Sequence, residues 1–378
     1  MSNNLKVIIS GGGTGGHIFP AVSIANAIKA KRPDADILFV GAEGRMEMQR
    51  VPAAGYRILP LPLNEGMSRK FHRFNWHNVR VGYKYIVSLF RARRIVRDFR
   101  PDVAVGVGGY VSAATLDAAG RMGIPTLLQE QNSFAGVTNR KLASRAQRIC
   151  VAYDNMQRFF PADRIMLTGN PVRQNLIEGA PSREAAAQTF GLDPQRRIVL
   201  IIGGSLGART LNESVLKALP AIAAQPDVQF VWQTGKYYSD YIRSRLADTP
   251  CPDNLKVMAF IADMPAAYAA ADLVVSRAGA SSISELCLLG KPAILVPSPN
   301  VAEDHQTHNA MALVEKEAAV HIADRDAVAT LIAEAQTLVR DDARLAALAA
   351  NVVQLAKPNA ANDIADEVIR LAAQCQRP

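Results

Sequence analysis

Short apolar segments alternate with longer segments of helical periodicity along most of the chain. The apolar segments are rich in Val, Ile and Leu and lack the polar alternation of a strand with one face in water. Strands that helices cover on both faces have this composition, so the pattern predicts an α/β fold with parallel sheets. The predicted strands span residues 5–10, 37–41, 58–61, 103–107, 126–129, 148–151, 198–202, 229–233, 256–260, 273–276 and 293–296.

The strand-and-helix pattern restarts near the middle of the chain. After Thr168-Gly169-Asn170-Pro171 a polar stretch runs to Arg197, and a new strand with a second glycine-rich loop follows. We therefore expect a GT-B-like arrangement of two doubly wound, Rossmann-like domains that face a cleft. The expected boundaries are residues 1–170 for the first domain and 171–345 for the second. A helical tail, residues 346–378, is expected to pack back on the first domain.

Composition excludes several classes of protein. The 378 residues are 49% hydrophobic and 20% charged, which excludes wholesale disorder. The four cysteines lie far apart, without the spacing of a zinc site or a disulfide framework, and fit a reducing cytoplasm. The start of the chain lacks the features of a secretion signal, and apolar runs such as 198–202 are far shorter than the ~20 residues of a membrane span. Any membrane contact is therefore expected to be peripheral.

The net charge of +9 resides in one segment. Residues 69–100 contain ten basic residues and a single acidic one, so the remainder of the chain is neutral. Within this segment an apolar stripe recurs at helical spacing beside basic positions, which predicts a membrane-docking face. Each basic residue near an acidic leaflet contributes ~1 kcal/mol to the binding free energy. Two alternatives remain, a core helix with a solvated basic flank and a nucleic-acid surface. The predicted docking residues are Arg73, Trp76, Val79, Arg80, Tyr83, Lys84, Ile86, Val87, Phe90 and Arg91.

A glycine-rich loop, residues 11–16, follows the first strand directly. Such a loop lets backbone N–H groups approach an anionic ligand closely. Gly11, Gly13 and Gly16 match G-x-G-x-x-G, with Glu43 after the second strand, so a nicotinamide-dependent oxidoreductase is one alternative. A tight turn without a ligand is another. The following helix is predicted to begin near Ala21, which would leave His17 at a loop tip, where an imidazole suits a general base.

Further loops of the same kind end other predicted strands. Residues 106–110 and 203–209 are glycine-rich, and residues 277–285 begin a helix with small side chains. The first turn of that helix would offer N–H groups to a phosphate, while Glu285 would accept hydrogen bonds from a ribose diol. The alternative for Glu285 is a carboxylate that merely complements the helix dipole. Ligands bind at the carboxyl ends of strands in open parallel sheets, so these loops are candidate sites.

These residues, in this order, resemble the MurG family, the UDP-N-acetylglucosamine transferases of peptidoglycan synthesis, which have the GT-B fold. The resemblance extends from position 11 to 309. The matching pieces are Gly12-Gly13-Thr14-Gly15-Gly16-His17, Gly108-Gly109-Tyr110-Val111-Ser112, Glu130-Gln131-Asn132, Gly169-Asn170-Pro171-Val172-Arg173, Gly203-Gly204-Ser205-Leu206-Gly207-Ala208, Phe260-Ile261-Ala262-Asp263-Met264, the 279–285 segment and Gln306.

The resemblance implies transfer of N-acetylglucosamine, with inversion, from UDP-N-acetylglucosamine to the 4-hydroxyl of N-acetylmuramoyl-pentapeptide on undecaprenyl diphosphate. It also implies a role for each matching residue. The pyrophosphate would be bound by Arg173 and Ser205, the ribose by Glu285, the uracil by the backbone at Ile261, and the sugar hydroxyls by Gln306 and Asn309. The remaining substrate contacts would be Thr14, Gly15, Gly16 and Asn132 in the first domain and Ala280, Ser281, Ser282, Ile283 and Ser284 in the second.

The chain departs from the family pattern at two places. Family members often have a bulkier apolar residue followed by Thr where this chain has Ser281-Ser282, and some have paired glutamines where it has His305-Gln306. The contact at Ser281 and any role for His305 therefore stay open.

An inverting transfer requires a base that removes the proton of the acceptor hydroxyl. His17 is the first candidate and Glu130 the second. Such a base typically raises the reaction rate by ~10²–10⁴-fold. No Asp-x-Asp pair stands where a metal would bridge the phosphates, so we expect neither a metal nor another cofactor. A lipid-borne acceptor favours an anionic membrane surface over nucleic acid as the partner of the basic segment. The expected location is peripheral, on the cytoplasmic face of the inner membrane, and a basic surface-binding module without chemistry remains the third class.

Overall fold

The computed structural model of the chain describes residues 4–13, 15–63, 76–172, 176 and 179–375. The chain forms two compact units, Met1–Arg173 together with Lys357–Pro378, and Gln174–Ala356. Each unit has its own parallel sheet, and the two are described separately below.

The described part of the first unit has a sheet of seven parallel strands in the order β3-β2-β1-β4-β5-β6-β7. The strands are β1 (Lys6–Ser10), β2 (Asp36–Ala42), β3 (Arg57–Leu61), β4 (Val103–Gly106), β5 (Thr126–Glu130), β6 (Arg148–Val151) and β7 (Ile165–Leu167). The central strand β1 pairs in parallel with β2 and β4, so its apolar side chains are buried on both faces of the sheet.

Helices cover both faces of this sheet. They are α1 (Gly15–Lys31), α2 (Glu47–Ala53), α3 (Trp76–Phe99), α4 (Tyr110–Arg121) and α5 (Val137–Leu142), with α15 (Ala360–Cys375) from the end of the chain. Side chains alternate along a strand, so Val7 and Ile9 pack with α1 and α15 while Ile8 packs with α3 and α4 on the other side. This alternation divides the apolar interior of the unit into two layers.

The described part of the second unit has a sheet of six parallel strands in the order β10-β9-β8-β11-β12-β13. The strands are β8 (Arg197–Ile202), β9 (Val228–Gln233), β10 (Leu255–Met258), β11 (Leu273–Ser276), β12 (Ala293–Leu295) and β13 (Val320–His321). The helices are α6 (Arg183–Thr189), α7 (Arg209–Lys217), α8 (Leu219–Ala223), α9 (Ser239–Ala247), α10 (Met264–Ala270), α11 (Ala280–Leu289), α12 (His305–Val314), α13 (Asp324–Leu338) and α14 (Asp342–Gln354).

The predicted fold class, two α/β domains with parallel sheets, is confirmed. All eleven predicted strands are present, with ends that differ by at most two residues. The two strands that the pattern misses, β7 and β13, are three and two residues long and half-exposed, too short for a recognisable apolar run.

The predicted start of α1 is wrong. The helix begins at Gly15 and contains Pro20, so His17 lies in its first turn and not at a loop tip. Two glycines and a proline have poor helix propensity, but Ile18, Pro20 and Ala21 are buried in the core, and this tertiary packing overrides the local preference.

The end of the chain is divided between the two units. The expected tail begins at residue 346, which lies inside α14, and α14 belongs to the second unit, where its Val353 faces Gly290 at the end of α11. The chain passes to the first unit at Lys357, and α15 places Ile364 and Val368 in the core layer that contains α1.

We expect Ile364→Ala to lower the free energy of unfolding of the first domain by about 2–5 kcal/mol, because it leaves a cavity in that layer. The matched control on the same helix is Asp366→Ala. Its exposed ion pair with Lys31 is worth at most about 1 kcal/mol. Differential scanning calorimetry of both variants measures the difference, and equal effects would show that α15 is not part of the folded core.

Candidate active site

His17 is held by the glycine-rich loop that precedes it. Its Nδ1 atom lies 3.1 Å from the carbonyl oxygen of Gly12. A carbonyl oxygen only accepts hydrogen bonds, so Nδ1 carries the hydrogen in this contact. In the neutral ring the lone pair is then on Nε2, which is the nitrogen that can take up a proton.

A second loop packs against this one from the end of β4. Gly108 and Gly109 have φ values of +96° and +87°, in the region that favours glycine. A Cβ atom on Gly108 would lie 2.9 Å from His17 Nε2, and one on Gly109 would lie 2.8 Å from the Gly12 carbonyl oxygen. Both positions therefore require glycine for the loops to approach and for the imidazole to keep its place.

Glu130 lies at the end of β5 and organises the loop that follows. Its carboxylate accepts hydrogen bonds from the backbone N–H groups of Asn132 and Gly136, at 3.1 and 3.0 Å, and from Nδ2 of Asn139 at 2.9 Å. Burial raises the pKa of the Glu130 carboxyl, and these hydrogen bonds act in the opposite direction. With both oxygens engaged, Glu130 is suited to hold Asn132 in position.

Glu47, which the sequence analysis missed, lies beneath the same glycine-rich loop. It is the first residue of α2, and its carboxylate accepts a hydrogen bond from the Gly13 N–H at 3.1 Å. The signal in the sequence is weak, since a glutamate in the first turn of a helix is common for electrostatic reasons alone.

In the second unit, the side chain of Gln233 joins two backbone segments. Its Nε2 donates to the Gly204 carbonyl at 2.9 Å, and its Oε1 accepts from the Ile261 N–H at 2.8 Å. Ser205 lies exposed in the glycine-rich loop between β8 and α7, so Gln233 brings that loop and the Ile261 turn together. Gln233 is not among the residues predicted from the sequence, although a polar residue at the end of an apolar strand is a usable signal.

The helix α11 begins directly after Gly279 and includes the predicted residues Ala280–Ser284 in its first turns. Glu285 is buried, and its Oε2 accepts a hydrogen bond from the Tyr268 hydroxyl at 2.9 Å. Ser284 Oγ donates back to the Ala280 carbonyl, whereas the buried Ser281 Oγ has no hydrogen-bond partner in the described part of the chain. Ser281 thus keeps an uncommitted hydroxyl in the first turn of this helix.

Gln306 and Asn309, both on α12, have different environments. Gln306 Oε1 accepts from the Ser298 N–H at 2.9 Å at the half-exposed start of the helix. Asn309 is fully buried, and its Nδ2 donates to the Ala278 carbonyl at 3.3 Å. Asn309 therefore supports the loop before α11 from inside.

The apolar stripe on α3 faces solvent. Trp76, Tyr83 and Phe90 are 76%, 69% and 73% exposed, and Val79 and Ile86 are also exposed, while Val87 is half-buried. The opposite face of the helix, which includes Val81 and Val96, is buried. The alternative of an ordinary core helix with this stripe inside is therefore wrong.

Basic side chains border the exposed stripe. Arg80 and Arg91 are exposed and Lys84 is half-buried. A groove of about 830 Å³ between α3 and the edge strand β3 continues the surface past Phe90 and Arg91. None of the helices in the described residues combines the length and hydropathy needed to cross a bilayer.

Three predicted residues, Thr14, Arg73 and Arg173, lie outside the described residues. Across the positions that the structure does describe, no group of three or more His, Cys, Asp or Glu side chains is placed to hold a metal ion.

Two doubly wound parallel-sheet domains with glycine-rich turns at the carboxyl ends of their strands are the architecture of the GT-B class of glycosyltransferases. The N-terminal and C-terminal domain models of glycosyltransferase family 28 match residues 7–151 and 198–368. Together with the relatives below, these matches show that the chain belongs to the MurG family, as the resemblance implied.

A protein of Bacteroides fragilis (strain ATCC 25285) is 60% identical over 98% of this chain and 96% of its own length. A protein of Bacteroides thetaiotaomicron is 59% identical over 98% of this chain and 99% of its own length. Both are named UDP-N-acetylglucosamine--N-acetylmuramyl-(pentapeptide) pyrophosphoryl-undecaprenol N-acetylglucosamine transferase. The crystal structure of MurG from Acinetobacter baumannii has a TM-score of 0.76 and 28% identity, covering 97% of this chain and 99% of its own.

We expect Gly108→Ala to reduce sugar transfer strongly, because its Cβ would displace the His17 ring. The matched control is Gly123→Ala. Gly123 also has a positive φ, +75°, but a Cβ there meets nothing within 4 Å. Both variants bear a backbone penalty of about 1–2 kcal/mol, so their melting temperatures should fall alike. Steady-state transfer assays separate them, and equal activity of the two variants would contradict the predicted contact.

Proposed function

We propose that the protein transfers N-acetylglucosamine from UDP-N-acetylglucosamine to the 4-hydroxyl of N-acetylmuramoyl-pentapeptide carried on undecaprenyl diphosphate. The observation that carries this proposal is the shared name of relatives that are 50–60% identical over nearly the whole chain. The reaction is a single displacement with inversion, in which the acceptor hydroxyl attacks the anomeric carbon and UDP leaves from the opposite face.

The second unit binds the donor. We assign the negative charge of the diphosphate to Ser205 and to the N–H groups in the first turn of α11. The resemblance adds Arg173, which lies outside the described residues, as a further diphosphate contact. Glu285, oriented by Tyr268, accepts hydrogen bonds from the ribose diol. The Ile261 N–H is already engaged by Gln233, so its carbonyl oxygen is the group that accepts from uracil. Gln306 contacts the sugar hydroxyls, and Asn309 acts by holding the loop beneath.

The first unit supplies the base. His17 Nε2 removes the proton from the attacking hydroxyl as the new bond forms. General base catalysis of this kind raises the reaction rate by ~10²–10⁴-fold. We assign Gly15, Gly16 and Asn132, the last held by Glu130, to contacts with the donor sugar and the acceptor. Glu130 is the second candidate for the base, but its oxygens are already engaged with the loop.

The alternative of an NAD-dependent oxidoreductase is not supported by any of the similar proteins. The structure also weakens its physical basis. The Gly13 N–H, which a dinucleotide pyrophosphate would need as a donor, is occupied by the Glu47 carboxylate. A buried carboxylate at that position repels a second anion.

The exposed stripe of α3 with its basic border serves as a membrane-docking face. We propose that it holds the protein on anionic lipid at the cytoplasmic face of the inner membrane, where the lipid-linked acceptor lies. Exposed aromatic side chains insert at the lipid interface, and the arginines beside them are attracted to acidic headgroups.

We expect His17→Ala to lower kcat by about 10²-fold or more while UDP-N-acetylglucosamine binds almost as in the unchanged protein, because the base acts only on the acceptor hydroxyl. Isothermal titration calorimetry and steady-state kinetics measure the two quantities.

Calorimetry with NAD serves as the comparison for the donor titration. Binding of NAD without binding of the UDP-sugar would contradict the proposed function. A nearly unchanged kcat in His17→Ala would move the search for the base to Glu130.

For the membrane face, we expect flotation with vesicles that contain phosphatidylglycerol, weakening as salt is added, since charge attraction is screened. The double variant Tyr83→Ser, Phe90→Ser should lower the affinity for these vesicles by about 10-fold or more, because two aromatic rings no longer insert. The control is Tyr237→Ser, which removes a ring that is 77% exposed in the second unit. Binding to oligonucleotides instead of vesicles, or equal loss in the control, would contradict the docking face.

A further inference from the structure

Glu47 is a buried carboxylate whose partners among the described residues are backbone N–H groups. It is 1% exposed, and no basic side chain forms an ion pair with it in the described part of the chain. Its hydrogen bonds come from backbone groups, the Ala42 N–H to Oε1 at 3.0 Å and the Gly13 N–H to Oε2 at 3.1 Å. Burial of a charge is costly, so a carboxylate kept in this way requires an explanation.

The surrounding backbone leaves space specifically for this side chain. A Cβ atom on Gly12 would lie 2.0 Å from Glu47 Oε1, and one on Gly41 would lie 2.7 Å from Glu47 Cγ. Both glycines thus allow the loop after β1 and the strand β2 to close around the glutamate.

A single peptide unit connects Glu47 to His17. The Gly12 carbonyl, which accepts from His17 Nδ1, and the Gly13 N–H, which donates to Glu47, belong to the same trans peptide. The two groups of a trans peptide lie in one plane and point in opposite directions, so the carboxylate and the imidazole bind opposite edges of the same peptide. Hydrogen bonds in such a chain polarise one another, and the carboxylate therefore strengthens the carbonyl as an acceptor.

We propose that Glu47 is a positioning residue for His17 and acts through the Gly12–Gly13 peptide. It holds the carbonyl in the orientation that keeps hydrogen on Nδ1, and so keeps the lone pair on Nε2 and directed outward from this contact. In this role Glu47 only orients the peptide and takes no part in the proton transfer, as with the aspartate that orients histidine in serine proteases. The catalytic part of this inference rests on the proposed function, whereas the tautomer does not.

The first test is the tautomer itself. In ¹⁵N-histidine-labelled protein at about pH 8, where an ordinary imidazole is neutral, the ring nitrogen shifts of His17 should show the Nδ1–H form. The His17→Ala spectrum assigns the signal. An Nε2–H tautomer in the unchanged protein would overturn the proposal without any variant.

The second test is Glu47→Gln, whose amide no longer presents a charged acceptor to Gly13. We expect part of the His17 population to shift to the Nε2–H tautomer. We also expect kcat to fall about 10-fold or more, as when a functional side chain loses the hydrogen-bond partner that orients it. The KM for UDP-N-acetylglucosamine should stay within about 2-fold of its value in the unchanged protein. Glu47→Asp, which keeps the charge, should retain more of the kcat. A folded Glu47→Gln protein with unchanged tautomer and kcat would overturn the proposal.

The matched control is Glu367→Gln. Glu367 is a second buried carboxylate of the same unit, but its partners are Arg148 and Arg370. This variant should leave the His17 tautomer and kcat unchanged. An equal loss of kcat in the control, with KM unchanged, would show that Glu47→Gln acts through general destabilisation and would overturn the positioning role.

A double variant separates the positioning role from the assignment of the base. In the His17→Ala background, Glu47→Gln should change kcat by less than about 2-fold, because its effect passes through His17. Additive losses would overturn the proposal. If Glu47→Gln shifts the tautomer while His17→Ala leaves kcat unchanged, the positioning stands and the base in the proposed function is wrong.

Discussion

The close approach of two glycine-rich loops at the carboxyl edge of the first sheet is the constraint on which the rest of this structure depends. Gly12 faces the Glu47 carboxylate on one side and Gly109 on the other, and Gly108 faces the His17 ring. No side chain fits at these positions, so the backbone itself forms the floor of the site. A parallel sheet makes this arrangement possible because the carboxyl ends of β1, β4 and β5 lie at one edge.

The two units brace their loops with different chemical groups. In the first unit, buried carboxylates accept hydrogen bonds from loop N–H groups, as Glu47 does for Gly13 and Glu130 for Gly136. In the second, neutral amides take this role, as Gln233 does for Gly204 and Ile261. The N–H groups of Gly13 and Gly136 are therefore engaged within the first unit and are not available to an anionic ligand.

The helix α3 shows how one element supports two roles. Ala92 and Val96 bury one face against the first sheet, which supplies the packing that keeps the helix in place. Because that packing is sufficient, the stripe that contains Trp76, Tyr83 and Phe90 is left exposed beside arginines. An exposed apolar patch of this kind typically marks an interaction surface.

The sequence by itself determined where eleven of the strands in the described residues lie along the chain, the position of the glycine-rich turns and the family, because these depend on local periodicity and on short motifs. It did not reveal the start of α1 at Gly15 or the burial of Asn309, and it left a core helix as an alternative to the predicted outward stripe of α3, since each is decided by what packs against the element. Glu47 is the clearest case. Only the folded sheet brings a glutamate from α2 beneath the peptide that holds His17, because residues distant in sequence meet where parallel strands end.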